Sequence, residues 1–282
     1  MKSLLDEGHE LVCLVRKVKG IQSNDRLTLI EFDLSRDERF ELLPTQVDAV
    51  VHLAQANVRF PEAADELFAV NSTSTQRLAA YGRRAGASHF VYASSGSVYQ
   101  RSTEPRKETD SVCPADFYSF TKSCSEDMLG YYRQYFNICI LRLFAPYGPG
   151  QKARMIPNIV RSVDEGRPVT LVNGGQPLIN PIYIEDLLTV LKQALLLSDH
   201  HVVNVAGPET VSVKDVASIA GELLSTRPQF EHQTRSEAWN ALADTSRMRE
   251  LFQLDELCAV REGLRQLLAA DALEAASVNS SF

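Results

Sequence analysis

Apolar residues along this chain fall into short β-rich runs separated by stretches of helical spacing. "ELVCLVR" (10–16), "LTLIEFD" (27–33), "VDAVVHLA" (47–54), "HFVYASS" (89–95) and "ICILRLF" (138–144) read as strands, several of them apolar enough to be buried on both faces of a parallel sheet. Between them, 64–85 and 117–136 have the length and period of helices. Strand, helix, strand at this interval predicts right-handed βαβ units. The expected fold class is α/β: a Rossmann-type doubly wound parallel sheet, with ligands at the carboxyl ends of its strands.

After "PYGPG" (146–150) the pattern loosens. A helix is expected over 153–165, a strand over 169–172, a helix over 185–197, a strand at "VVNVAG" (202–207) and a helix over 212–225. Gly and Pro clusters at 148–150, 166–168, 174–177 and 207–208 mark the connections. This divides the chain into a Rossmann domain over 1–150 and a smaller α/β lobe over 151–272 that returns elements to the main sheet. The tail 273–282, "LEAASVNSSF", has no apolar period and is expected to fray.

Composition excludes more than it identifies. A net charge of −7 argues against a general affinity for nucleic acid or an anionic membrane. The five cysteines are dispersed, with no CxxC pair and no histidine at ligand spacing, which suits reduced thiols rather than disulfides or a zinc site. No leader pattern and no 18-residue apolar run is present, so the cytoplasm is the default compartment.

Residues 90–122 carry the chemistry. "FVYASSGSVYQ" ends a strand in Ser94 and Ser95, where a doubly wound sheet holds its ligand. Tyr118 and Lys122 follow in "YSFTK", four apart and so on one helix face. An ammonium beside a phenol stabilises the phenolate and lowers a pKa that is about 10 in free tyrosine. A serine hydroxyl can hold a substrate oxygen while the tyrosine moves its proton. Together these are the parts for oxidising an alcohol or reducing a ketone against a nicotinamide. A Tyr-x-x-x-Lys spacing alone also arises on ordinary helix surfaces; the order strand, Ser, turn, Tyr, Lys gives it force.

These segments resemble the extended short-chain dehydrogenase/reductase family, in its NAD(P)-dependent nucleotide-sugar epimerase/dehydratase branch. "VDAVVHLAQ", "VNSTSTQRLAAYGRRAG", "FVYASSGSVYQ", "YSFTK", "LRLFAPYGPGQ", "NPIYIEDL", "VNVAGPETVSVKDVA" and "ADTSRMRELF" match its signatures in order over nearly the whole length. The resemblance implies that Tyr118, Lys122 and Ser95 are catalytic. It implies cofactor contacts at Leu53, Ala54, Gln55, Asn71 and Phe144, together with Tyr118 and Lys122, and adenine contacts at Asp33 and Leu34. Substrate contacts are implied at Ser95, Ser97 and Ala145, the last standing where the family often has Asn. The family opens with a strand and a glycine-rich turn that holds the pyrophosphate. "MKSLLDEGHE" resembles instead the end of the following helix, so a start upstream of Met1 is expected, the alternative being a shortened gene product.

Other positions narrow the chemistry. After the second family strand, "CLVRKVKG" offers Arg16, Lys17 and Lys19 in place of the acid that binds ribose hydroxyls. That favours NADP over NAD, although basic residues there also suit a solvated turn. Gly96 and Ser97 stand where dehydratases of the branch carry Asp and Glu. Ile179 replaces an arginine that often grips the nucleotide diphosphate, a role Arg154 or Arg161 can be assigned instead. His52, Tyr99 and Tyr147 read as packing residues, and Trp239 as a core anchor. The first reading is an NAD(P)-dependent nucleotide-sugar epimerase, similar to UDP-glucose 4-epimerase, with a possible homodimer through the helix of Tyr118. The second is an NADPH-dependent ketoreductase of a keto-sugar or other carbonyl, and the third a non-catalytic remnant or scaffold.

Overall fold

A computed structural model describes residues 1–18, 20, 23–152, 154–234 and 239–279. In chain order it forms α1 (Lys2–Asp6), β1 (Leu11–Val15), β2 (Leu27–Glu31), β3 (Ala49–His52), α2 (Ala64–Phe68), α3 (Ser74–Arg84) and β4 (His89–Ser95). Next come α4 (Phe117–Gly130), β5 (Asn137–Leu143), α5 (Met155–Asp164), β6 (Val169–Val172), α6 (Ile184–Ala194) and β7 (His200–Val205). The chain closes with α7 (Val213–Leu224), β8 (Phe230–Gln233), α8 (Ser246–Leu251) and α9 (Val260–Asn279).

The helix expected over 64–85 is broken into α2 and α3 by one π-helical turn, Ala69–Thr73, which carries Asn71. Single π turns of this kind often accompany functional sites, and here Asn71 turns inward to bind other segments. α9 extends over 273–279, so that part of the expected fraying tail is helical; 280–282 lie outside the described residues. β8 and α8 had no apolar period long enough to announce them.

Contacts divide the chain into two units, and the division is interleaved rather than sequential. The first comprises residues 1–94, 114–141 and 191–202; the second comprises 95–113, 142–190 and 203–282. Residues 95–113 and 142–150, expected with the first domain, therefore belong to the second unit, and 191–202 return to the first.

β1 and β2 form a parallel pair with Leu11 opposite Leu27. β3 and β4 are parallel with Ala49 opposite His89, in a four-stranded sheet of order β3-β4-β5-β7. Among the described residues no ladder joins these two sheets. β4 and β5 are buried at all five central positions, the first four of them apolar in each strand rather than alternating. The core of the first unit gathers Val50, Phe90, Tyr92, Ile138 and Ile140 from strands against Leu78 of α3 and Leu129 of α4.

In the second unit, Ile156, Ile159, Val160 and Val163 of α5 pack with Val216, Ala217 and Ala220 of α7 and Leu171 of β6. α7 starts on a reciprocal cap, the Ser212 hydroxyl accepting from the Asp215 N–H while the Asp215 carboxylate accepts from the Ser212 N–H. No helix among the described residues is long and apolar enough to cross a membrane.

Candidate active site

α4 begins where Asp116, in extended backbone, accepts from the Ser119 N–H at 2.8 Å. This cap fixes the first turn, which carries Tyr118, and Lys122 follows one turn later on the same face. Lys122 is 1% exposed, and its ammonium lies 4.5 Å from the centre of the Tyr92 ring on β4. Burial pushes its pKa down to about 7, with Glu126 opposing that shift. The ring face offsets part of the desolvation cost of the cation. The Tyr118 hydroxyl donates to Gln55 Oε1 at 2.6 Å.

The segment after β3 supplies the opposite wall. Leu53, Ala54 and Gln55 are exposed at the carboxyl end of the strand, as a surface meant to receive a ligand must be. Asn71 is fully buried and anchors this segment: its Oδ1 accepts from the Ala56 N–H at 2.8 Å, and its Nδ2 donates to Ala56 O at 3.1 Å and Thr121 Oγ1 at 3.0 Å. Asn71 therefore shapes the site by tying the segment after β3 to α4.

His52 lies 3.0 Å from Thr75 Oγ1 and 3.3 Å from Ser74 Oγ. Both hydroxyls already donate to backbone carbonyls, so His52 presents Nε2–H to them. Burial, with Lys122 as a further cause, pushes its pKa down to about 3. A neutral, hydrogen-bonded His52 is a packing residue.

Ser95 ends β4 and opens the second unit. Its Oγ lies 2.9 Å from Ser97 Oγ and accepts from the Ser97 N–H at 3.2 Å, capping the turn at 96–98. A Cβ on Gly96 would come within 2.4 Å of the Phe144 ring, so position 96 has no room for any side chain. Phe144 itself is 4% exposed, packed with Val98, Tyr99, Ala206 and Ala243. Its ring is part of this small core. Ala145 adopts φ +42, left-handed backbone that asparagine tolerates far better than alanine.

At the other expected subsite, the Asp33 carboxylate accepts from the Ser35 N–H at 3.0 Å, the Ser35 hydroxyl at 2.7 Å and Arg36 Nε at 3.0 Å. The Ser35 hydrogen bonds hold its pKa below the ordinary carboxylate range, with Arg36 and Arg16 adding to the effect. Leu34 packs against the first unit's core. Asp33 is thus engaged within its own turn and Leu34 with the core. Arg16 and Lys17 are exposed after β1, and Lys19 lies outside the described residues.

In the second unit Ile179 is 1% exposed and Arg161 donates to Lys152 O at 3.1 Å, while Arg154 stands at the N-cap of α5. Tyr99 is buried and donates to Asn204 Oδ1 at 2.8 Å; buried Tyr147 packs edge-on to Tyr183. Trp239 is only half-buried, with Arg101 over its ring, and so is not a core anchor.

Two features escaped the sequence reading. Ser94 donates to the buried carboxylate of Glu126, one turn beyond Lys122; the stripe 118, 122, 126 was the available signal. A cavity of about 800 Å³ opens beside Tyr118, lined by Asn57, Val58, Phe60, Asp116 and Phe117. Phe60 and Phe117 stack at 4.8 Å there, a contact between distant segments that no local pattern shows. The donor set on this side, an exposed strand end facing a phenol and an ammonium on one helix, fits the nicotinamide ribose end of a dinucleotide.

The fold is that of an α/β, Rossmann-like, dinucleotide-dependent enzyme class. The pattern of the NAD dependent epimerase/dehydratase family matches residues 1–206, and the chain belongs to that family. A protein of Bacillus subtilis (strain 168) named as an uncharacterized UDP-glucose epimerase, YtcB, is 28% identical over 272 residues, covering 90% of this chain and 84% of that protein. A dTDP-4-dehydro-6-deoxy-D-allose reductase of Streptomyces is 26% identical over 294 residues, covering 94% and 90%. Among solved structures, MoeE5 in complex with UDP-glucuronic acid and NAD superposes with a TM-score of 0.86 at 25% identity, covering 97% of this chain and 94% of that one. The UDP-glucose 4-epimerase of Thermus thermophilus in complex with NAD shares the fold, with a TM-score of 0.80 at 22% identity over 95% and 93%.

Proposed function

We propose that the protein is a nucleotide-sugar epimerase that inverts a sugar carbinol of a UDP-sugar such as UDP-glucose. The carrying observation is the Tyr118–Lys122 pair on α4, set against the exposed strand end at Gln55. The relatives named as a UDP-glucose epimerase and solved with UDP-glucuronic acid and NAD support the same reading. A bound nicotinamide dinucleotide supplies the hydride acceptor and donor. Tyr118 takes the proton from the sugar hydroxyl and returns it to the same oxygen. Lys122, held in a dry setting one turn away, stabilises the phenolate by its charge. Ser95 and Ser97 are assigned to substrate oxygens. Dehydration is not proposed, because Phe144 leaves no space for an acid or base at position 96.

A reductase is the second reading, favoured by the similarity to the Streptomyces reductase. Stoichiometry separates the two: with UDP-glucose and a trace of NAD⁺, an epimerase forms the 4-epimer in excess over cofactor. A reductase consumes one reduced cofactor for each carbonyl turned over and leaves UDP-glucose unchanged. In either case Tyr118→Phe is expected to lower kcat on the order of 10²–10⁴-fold.

For the cofactor we favour NADP over NAD, supported by exposed Arg16 after β1 and by an Asp33 whose carboxylate is engaged by Ser35 and Arg36. Titration with NADPH and NADH tests this; tighter NADH binding, or equal affinities, refutes it. We also propose a homodimer through α4, which exposes Phe120 and is followed by Tyr131, 81% exposed. The five free thiols suit the reducing cytoplasm.

A further inference from the structure

The contact between Tyr118 and Gln55 is not left to two freely rotating side chains. Gln55 precedes Ala56, whose N–H and C=O are both engaged by Asn71. Asn71 donates to Thr121 Oγ1, and the Thr121 hydroxyl donates to the Tyr118 backbone carbonyl at 2.7 Å. Hydrogen bonds and chain thus close a ring through Gln55, Ala56, Asn71, Thr121 and Tyr118. Ala56, Asn71 and Thr121 are its buried part, and they hold the strand end in register with α4. Gln55 and the phenol form the link that reaches solvent, where a substrate would arrive.

We propose that Gln55 is the positioning residue for the Tyr118 proton, holding the hydroxyl in place in both of its protonation states. The inference rests on Tyr118 being the acid–base group. A carboxamide offers an acceptor oxygen and two donor hydrogens. Its oxygen accepts from the neutral phenol, as the 2.6 Å contact shows, and a half-turn of the amide presents N–H to the phenolate. An epimerase needs such a two-sided partner, because its phenol takes and returns a proton within one turnover. Glutamate at this position offers a negative charge and acceptors alone, favouring the neutral phenol. Methionine, of similar length, offers neither a donor nor a comparable acceptor. Ionisable groups near the phenol within the first unit include Tyr92 on β4, Asp116 in the same cavity lining, and the linked Lys122, Glu126 and His52 behind Tyr92, and both substitutions leave them in place.

The test is a pH titration by carbon-13 NMR of the full chain labelled at tyrosine Cζ, with the Tyr118 resonance identified by its loss in Tyr118→Phe. Gln55→Glu is expected to raise the Tyr118 midpoint by about one pH unit, and the acid limb of kcat with it. Gln55→Met is expected to lower kcat roughly tenfold with KM for the nucleotide sugar unchanged. An unmoved midpoint in Gln55→Glu, or full kcat in Gln55→Met, overturns the proposal. The titration needs no turnover, so it decides even in an inactive chain. Full activity in Tyr118→Phe overturns the acid–base reading instead, a result separate from the midpoint.

Discussion

Lys122 shows most clearly what the site costs the fold. Its pKa stands at about 7 against an ordinary 10.5, because folding places the ammonium where water cannot reach it. Below the folded value the side chain is charged in both folded and unfolded states, and the destabilisation is fully present. As pH rises from the folded value towards the unfolded one, the folded state sheds its proton first and stability recovers. Lys122→Met is therefore expected to melt several degrees higher than the wild type near pH 6, with the gap closing towards about pH 10, while activity is lost. Thermal melts across that range check this; a variant that melts lower at every pH contradicts it. At Ala145 the strain is conformational: left-handed backbone costs a non-glycine residue about 1–2 kcal/mol. Ala145→Gly is expected to recover about 1 kcal/mol, read from chemical denaturation midpoints at constant slope. Tyr118 and Lys122 were legible because their spacing is local. The engagement of Asp33, Asn71 and Phe144 was not, because each depends on a neighbour that only the fold supplies.

Among the elements, α4 joins local sequence to function most directly. Its cap at Asp116 sets the start of the helix two residues before Tyr118. Asp116→Ala is expected to cost about 1 kcal/mol and to raise the amide exchange rates of the first turn, measured by hydrogen exchange. Unchanged exchange at 117–120 would show that tertiary contacts alone fix that turn. β4 and β5 were readable as strands because burial on both faces writes itself as an unbroken apolar run. The π turn at Ala69–Thr73 was invisible: its sequence is helical, and the widening follows tertiary pulls on Asn71. β8 is four residues of partly exposed "FEHQ", defined by its pairing with β6 rather than by any pattern of its own.

For the whole molecule, the α/β class followed from alternation alone, whereas the interleaving of the two units was not legible along the chain. β4, β5 and β7 each run from the first unit into the second, between Ser94 and Ser95, Leu141 and Arg142, and Val202 and Val203, so no single cut in sequence can separate the units. The central claim is that this chain inverts a sugar carbinol by moving a hydride off and back onto the same carbon while Tyr118 handles the proton. The most direct measurement is NMR of UDP-glucose carrying deuterium at C4, incubated with the protein and a trace of dinucleotide in ordinary water. The account predicts a 4-epimer that exceeds the cofactor in amount, retains deuterium at C4, and is absent with Tyr118→Phe. Loss of the deuterium to solvent, or no 4-epimer at all, would contradict it.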